Sequence, residues 1–107
     1  MGYAVATVRL MCLNAERLDL EYKLQLIADA KMNLGMTLTD LDTVGTDMSP
    51  DSPVIKRLEQ RKERLYLLEK KLDMQMEKYK LRLRAIEAEY QSCQAMVDRN
   101  IQRMFKY

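Results

Sequence analysis

The sequence predicts an all-α chain: two long helices folded back into an antiparallel coiled-coil hairpin that oligomerises. Three observations carry this. The C-terminal half holds apolar residues at alternating spacings of four and three, the N-terminal half does the same, and a Pro- and Gly-punctuated polar stretch separates them. The boundaries expected are a helix over 3–41, a turn over 42–52 and a helix over 53–106, in a single helical-hairpin domain of 107 residues.

The second helix is the clearest. Leu72, Tyr79, Ile86 and Cys93 fall at d positions, and Met76, Leu83, Tyr90 and Val97 at a positions. The register extends back to Leu65 and Leu58, and forward to Asn100 at d and Met104 at a. Fifty-odd residues at about 1.5 Å each reach roughly 80 Å. A helix of that length cannot bury its stripe against itself and needs partners.

In the first helix the seam is Leu10, Leu13, Leu20, Leu24, Ile27, Leu34, Leu38 and Leu41, with Arg17 and Lys31 interrupting it at a positions. A second stripe, Ala4, Val8, Met11, Ala15, Leu18 and Tyr22, is expected beside it. Together they would form a face wider than a two-stranded seam requires, and hence more than one neighbour. Asp19 and Lys23 stand four apart, a spacing that supports a helix. Between the helices, Gly45, Pro50 and Pro53 break the pattern. Asp51 or Ser52 can cap the second helix, with Pro53 at its first position.

Folding back at this turn places residue n beside roughly residue 95 − n. Leu20 then faces Met76, Leu13 faces Leu83 and Leu10 faces Ile86, while Lys31 falls near Leu65 and Arg17 near Tyr79. Helix two would overhang beyond residue 92, leaving Cys93, Met96, Val97, Ile101, Met104, Phe105 and Tyr107 without a mate. Such a density of apolar residues marks an interaction surface. Cys12 and Cys93 read as two buried thiols, roughly 15 Å apart along the helix axis, too far for an intrachain disulfide.

Composition narrows the chemistry. The chain has no His and no Trp, nine Met, six Tyr and one Phe; 48% of residues are hydrophobic and 32% charged. Without His there is no imidazole base and no usual zinc set. No Gly-rich phosphate loop or nucleophile motif is present, and Glu87 and Glu89 point to different helix faces. The expectation is therefore a non-enzyme, with no catalytic residue, cofactor or metal.

Residues 1–53 hold four basic and eight acidic side chains, whereas 54–107 hold fourteen and eight. The halves can attract each other within a hairpin or between subunits; alternatively, the basic half could meet an acidic partner. Lys56, Arg57, Arg61, Lys62, Arg64, Lys70, Lys71, Lys78, Lys80, Arg82 and Arg84 are spread around the helix among Glu59, Glu63, Glu69, Asp73 and Glu77. That is the pattern of an ion-paired surface rather than a phosphate track, so nucleic acid is an unlikely partner. Asn100 reads equally as a register-fixing buried polar residue or as the end of the seam. No apolar run approaches a membrane span. Ala4–Val8 lacks the preceding basic residue of a signal peptide, and Ala6 stands where myristoylation wants Ser or Thr. A cytoplasmic location, or export without a cleavable signal, is expected.

Pro50-Asp51-Ser52-Pro53 resembles the P-[SD]-[DN]-P turn of type III secretion needle subunits, with Ser52 where that family has Asp or Asn. The ending Asn100-Ile101-Gln102-Arg103-Met104-Phe105 is similar to the family's aliphatic, polar, then Phe terminus. The layout of helix, Pro-bounded turn and longer helix is similar as well, and the hairpin also looks like the export stalk proteins of the same systems. The resemblance implies a helical filament, with the C-terminal helix packed toward its lumen and no cleavable signal. The function expected is a self-associating structural subunit, of a filament or secretion apparatus. Its interaction residues would be Met11, Leu18, Tyr22, Met96, Val97, Ile101, Met104 and Phe105, and its partner itself or another helical protein. The alternatives are a cytosolic adaptor or export chaperone that binds a client helix on its Met-rich face and, less favoured, a nucleic-acid-binding helical module.

Overall fold

A computed structural model describes residues 2–46 and 50–105. It is an all-α helical hairpin of two helices, α1 (Tyr3–Gly45) and α2 (Pro53–Met104), with no strand among the described residues. Residue 106, expected as the last of α2, and Tyr107 lie outside the described residues, as do Asp47, Met48 and Ser49 of the expected turn.

Both ends of the loop have local causes. The Ser52 Oγ accepts from the Val54 N–H at 3.2 Å, and the Ser52 carbonyl accepts from Ile55 and Lys56. Ser52 is therefore the cap, and Pro53 follows at the first helical position, where its missing N–H costs nothing. At the other end α1 runs to Gly45, four residues beyond the Leu41 expected. Three features hold that extra turn. The Thr43 hydroxyl donates back to the Thr39 carbonyl at 3.1 Å. Asp42 takes the Lys62 ammonium of α2 at 2.5 Å. Gly45 lets α2 come close: a Cβ there would stand 3.0 Å from the Leu58 Cδ2. Thr, Asp and Gly read as loop residues in the sequence, yet contacts with α2 recruit them into the helix.

Residues cluster into two compact units, one of residues up to Leu24 with those from Lys78 onward, the other of Gln25–Glu77. In the first, Leu13, Leu20, Ile86 and Cys93 form a buried cluster, with Leu10, Tyr79, Leu83 and Tyr90 packed on it. Among the described residues, Leu13 and Ile86 are the two fully buried large side chains. Ala6 and Val97 are buried in this unit as well. In the second unit Ile27, Leu34 and Leu38 of α1 are buried, while the α2 seam residues Leu58, Leu65, Leu72 and Met76 are half-buried. The predicted seams are thus the inward faces of both helices in each unit.

The register differs from expectation. In the first unit Arg9 meets Glu89 and Glu16 meets Arg82, which follow 98 − n rather than 95 − n. Extending α1 to Gly45 moves the midpoint of the turn, and every mate moves with it. In the second unit Lys31 pairs with Asp73 rather than lying near Leu65, and Asp42 pairs with Lys62. Arg17 stacks on Tyr90, 5.1 Å from the ring centroid, instead of lying near Tyr79. Long helical side chains lean toward their own N-terminus, so in an antiparallel pair they meet mates farther along the partner helix.

Among the described residues, four ion pairs between helices run both ways. Glu16 and Asp42 of α1 accept Arg82 and Lys62 of α2, while Arg9 and Lys31 of α1 donate to Glu89 and Asp73 of α2. The halves' opposite net charges are therefore only partly matched across the hairpin.

Candidate interaction surface

The seam of α1 repeats every heptad, and the second stripe sits two residues before each seam position. One residue turns a helix by about 100°, so the stripe lies roughly 160° from the seam, on the opposite side. This corrects the expectation of one broad face. In the first unit α1 is apolar on two opposite sides: one packs on α2, and the other faces out. Val8 is 59% exposed, Met11 68%, Leu18 55% and Tyr22 64%, with Ala4 and Ala15 exposed between them.

Two residues not singled out with the stripe belong to this face. Val5 is 59% exposed, and Cys12 is exposed rather than buried. Both lie one residue past a stripe position, on its rim. Heptad arithmetic could have found them, because the residues that follow Ala4 and Met11 still point away from the seam. Cys93 is the buried thiol; its Sγ donates to the Ala6 carbonyl at 3.9 Å. Six residues separate Ala6 from Cys12, roughly 9 Å along the helix, so the two free thiols do not meet.

The C-terminal end is placed differently from expectation. The shifted register gives α2 an α1 mate beyond residue 92, so Cys93 and Val97 are buried, and Met96 and Ile101 are half-buried. Of the expected surface, Met104 is 57% and Phe105 81% exposed. The overhang is thus the last turn of α2. Asn100 is half-buried and makes an interaction of its own, so it is not a solvated end of the seam.

The outer face of α2 in this unit is different in kind. Leu81, Ala88 and Ala95 alternate there with Arg84, Gln91 and Asp98, all exposed. No continuous apolar stripe forms, so the two helices present dissimilar surfaces.

Electrostatics tie down several of the basic residues. Arg9 donates to Glu89 through Nε at 2.8 Å, and Arg82 donates to Glu16 through its terminal nitrogen at 2.6 Å. The side-chain hydrogen bond from Lys62 to Asp42 holds the ammonium above its ordinary 10.5, with the attraction of Asp42 and Glu59 adding and desolvation opposing. Lys31 is raised in the same way by its hydrogen bond to Asp73, and Lys23 by its hydrogen bond to Asp19. Lys23 also stands 5.8 Å from the Tyr79 ring centroid. Arg17 donates to Asn14 at 2.7 Å.

In the second unit a shallow groove of about 620 Å³ is lined by Asp42, Glu59, Lys62, Glu63, Tyr66, Leu67 and Lys70. Its polar groups are ammonium and carboxylate groups with a single phenol. No group of His, Cys, Asp and Glu among the described residues is arranged to hold a metal ion. No helix among them is long and apolar enough to cross a membrane.

No protein-family model, curated protein or solved structure matches the chain.

Proposed function

We propose that the chain is a non-enzymatic structural subunit that self-associates through apolar faces left uncovered by its own hairpin. The observation that carries this reading is the outer stripe of α1, where Val8, Met11, Leu18 and Tyr22 are each more than half exposed at heptad spacing. Fully burying one large apolar side chain contributes about 1.5–3 kcal/mol, so four in register can drive association. Met104 and Phe105, at the end of α2, offer a second apolar point. Two different self-contacts on one subunit can extend an assembly beyond a dimer. That supports a filament or secretion-apparatus role, as does the layout shared with type III needle subunits: two helices around a Pro-bounded turn, with an apolar end. Such a subunit works in the cytoplasm or is exported without a cleavable signal.

The second reading is an adaptor or export chaperone for a client helix. What favours it is the exposure of Met11, Met32, Met36 and Met74, between 61% and 73%. Flexible thioether side chains suit surfaces that repack on different partners. Nucleic-acid binding has less support, because Lys62 and Arg82 already engage carboxylates of α1.

Light scattering coupled to size exclusion, over a concentration series, separates these readings. The structural subunit grows in mass with concentration from its 12.6 kDa protomer. An adaptor stays at a small fixed mass until a client helix is added. A nucleic-acid binder keeps its mass and shows affinity for nucleic acid that falls steeply with salt.

A further inference from the structure

The outer stripe of α1 is symmetric about its own centre. Its positions, 4, 8, 11, 15, 18 and 22, are spaced four, three, four, three, four, which reads the same in both directions about residue 13. Laid against an antiparallel copy, Ala4 falls opposite Tyr22, Val8 opposite Leu18, and Met11 opposite Ala15. Two of these three pairs set a small residue against a large one, so a bulky side chain on each helix meets a space on the other. A parallel copy would instead set Tyr22 on Tyr22 and Ala on Ala, crowding one level and leaving others hollow.

We propose that two copies of this chain associate through the outer face of α1 about a two-fold axis near Leu13, with Cys12 beside its own symmetry mate. The proposal rests on the self-association reading above and specifies its surface, orientation and occupant.

Charge agrees with this pairing. The rims of the stripe are Thr7, Asn14 and Glu21 on one side, and Val5, Cys12 and Asp19 on the other. In the antiparallel arrangement each rim runs beside the same rim of the copy. Glu21 then passes Thr7, and Asp19 passes Val5. No like charges oppose, and Asp19 keeps its salt bridge to Lys23 at 2.9 Å within its own helix. On the Cys12 rim, Cys12 is the residue nearest the axis, so the two copies of Cys12 flank each other across the pair.

Area agrees as well. Val8, Met11, Leu18 and Tyr22 average about three-fifths exposed. With the aromatic figure of about 200 Å² as an upper value for each, they present at most roughly 500 Å² per chain. Two copies together can cover up to about 1,000 Å² before Val5, Ala4 and Ala15 are counted, near the figure a specific interface should clear. The outer face of α2 in the same unit, interrupted by Arg84, Gln91 and Asp98, has no equivalent.

Thiol cross-linking tests the arrangement on the full chain. Helices in contact lie about 8–10 Å apart, within reach of a short bismaleimide. Wild-type protein should give a covalent dimer on denaturing gels, and Cys12→Ser should abolish it, since Cys93 is buried. Orientation is read in the Cys12→Ser background with Ala4→Cys and Tyr22→Cys chains. An equimolar mixture should cross-link, and Ala4→Cys alone should not. Cross-linking of Ala4→Cys alone would show a parallel pair and overturn the proposal. Light scattering on the same samples separates the two layers. Wild-type mass fixed at one protomer defeats self-association itself. Growing mass without a Cys12 cross-link leaves self-association standing and removes this face from it.

Discussion

Met11 and Leu13 stand two residues apart on one helix, and the structure gives them opposite fates. Leu13 is wholly inaccessible, in the cluster with Leu20, Ile86 and Cys93, whereas Met11 is 68% exposed. Leu13→Ala removes a fully buried isobutyl group and leaves a cavity against Ile86, because close-packed neighbours collapse only in part. The expected cost is about 2–5 kcal/mol. At about 1.4 kcal/mol per tenfold, that lowers the folding equilibrium by at least roughly twentyfold. Met11→Ala deletes a side chain that touches mainly solvent, and Ala is the better helix former, so the expected change is within about 0.5 kcal/mol. Urea unfolding followed by circular dichroism measures both, at a protein concentration low enough to keep the protomer apart from other copies. The denaturant midpoint should fall sharply for Leu13→Ala and hold for Met11→Ala. Equal losses, or a larger loss for Met11→Ala, would refute the assignment of the two faces.

Other predictions follow from local geometry. Ser52→Ala removes the acceptor for the Val54 N–H and should cost about 0.5–2 kcal/mol in the same urea assay, whereas Ser52→Asp, which keeps a capping oxygen, should leave the midpoint unchanged. Gly45→Val should destabilise by about 1–3 kcal/mol, since even a Cβ there lies 3.0 Å from Leu58, and an unchanged midpoint would contradict the close approach. Lys23, Lys31 and Lys62 are each raised above 10.5 by a hydrogen-bonded carboxylate. The stability they contribute is fully present below that value and is lost as pH rises through their folded values, so melts should weaken on titration from pH 9 to above 11 and stay level if the pairs are not made.

Much of this architecture is legible in the sequence because a coiled coil writes its packing as a period. Leu13, Leu20, Ile27, Leu34 and Leu38 are buried where the heptad puts them, and Ile86, Cys93 and Val97 continue the seam of α2. The start of α2 is equally plain, because Ser52 and Pro53 fix it through their own chemistry. The end of α1 is not. Asp42, Thr43 and Gly45 have weak helical preference, and what holds them helical is Lys62 and Leu58 on α2. Missing that turn displaces the register, and the displaced register left Val97 outside the packed region when it lies within it. The second stripe of α1 is visible in the sequence, but its side of the helix follows only from carrying the 100° step around the axis. The same step places Cys12 outside, whereas its apolar neighbours suggest the interior.

Self-association requires that the outer face of α1 be covered in solution by another copy. Leu18 is 55% exposed and lies on the side of α1 opposite the seam, so Leu18→Asp should leave the helical circular dichroism and the urea midpoint of the dilute protomer intact. The deciding measurement is sedimentation velocity of wild type and Leu18→Asp at matched concentrations, from micromolar to millimolar. Wild type should shift to larger species as concentration rises, from its 12.6 kDa protomer, while Leu18→Asp stays smaller than wild type at each concentration. Identical sedimentation of the two proteins at every concentration would contradict it.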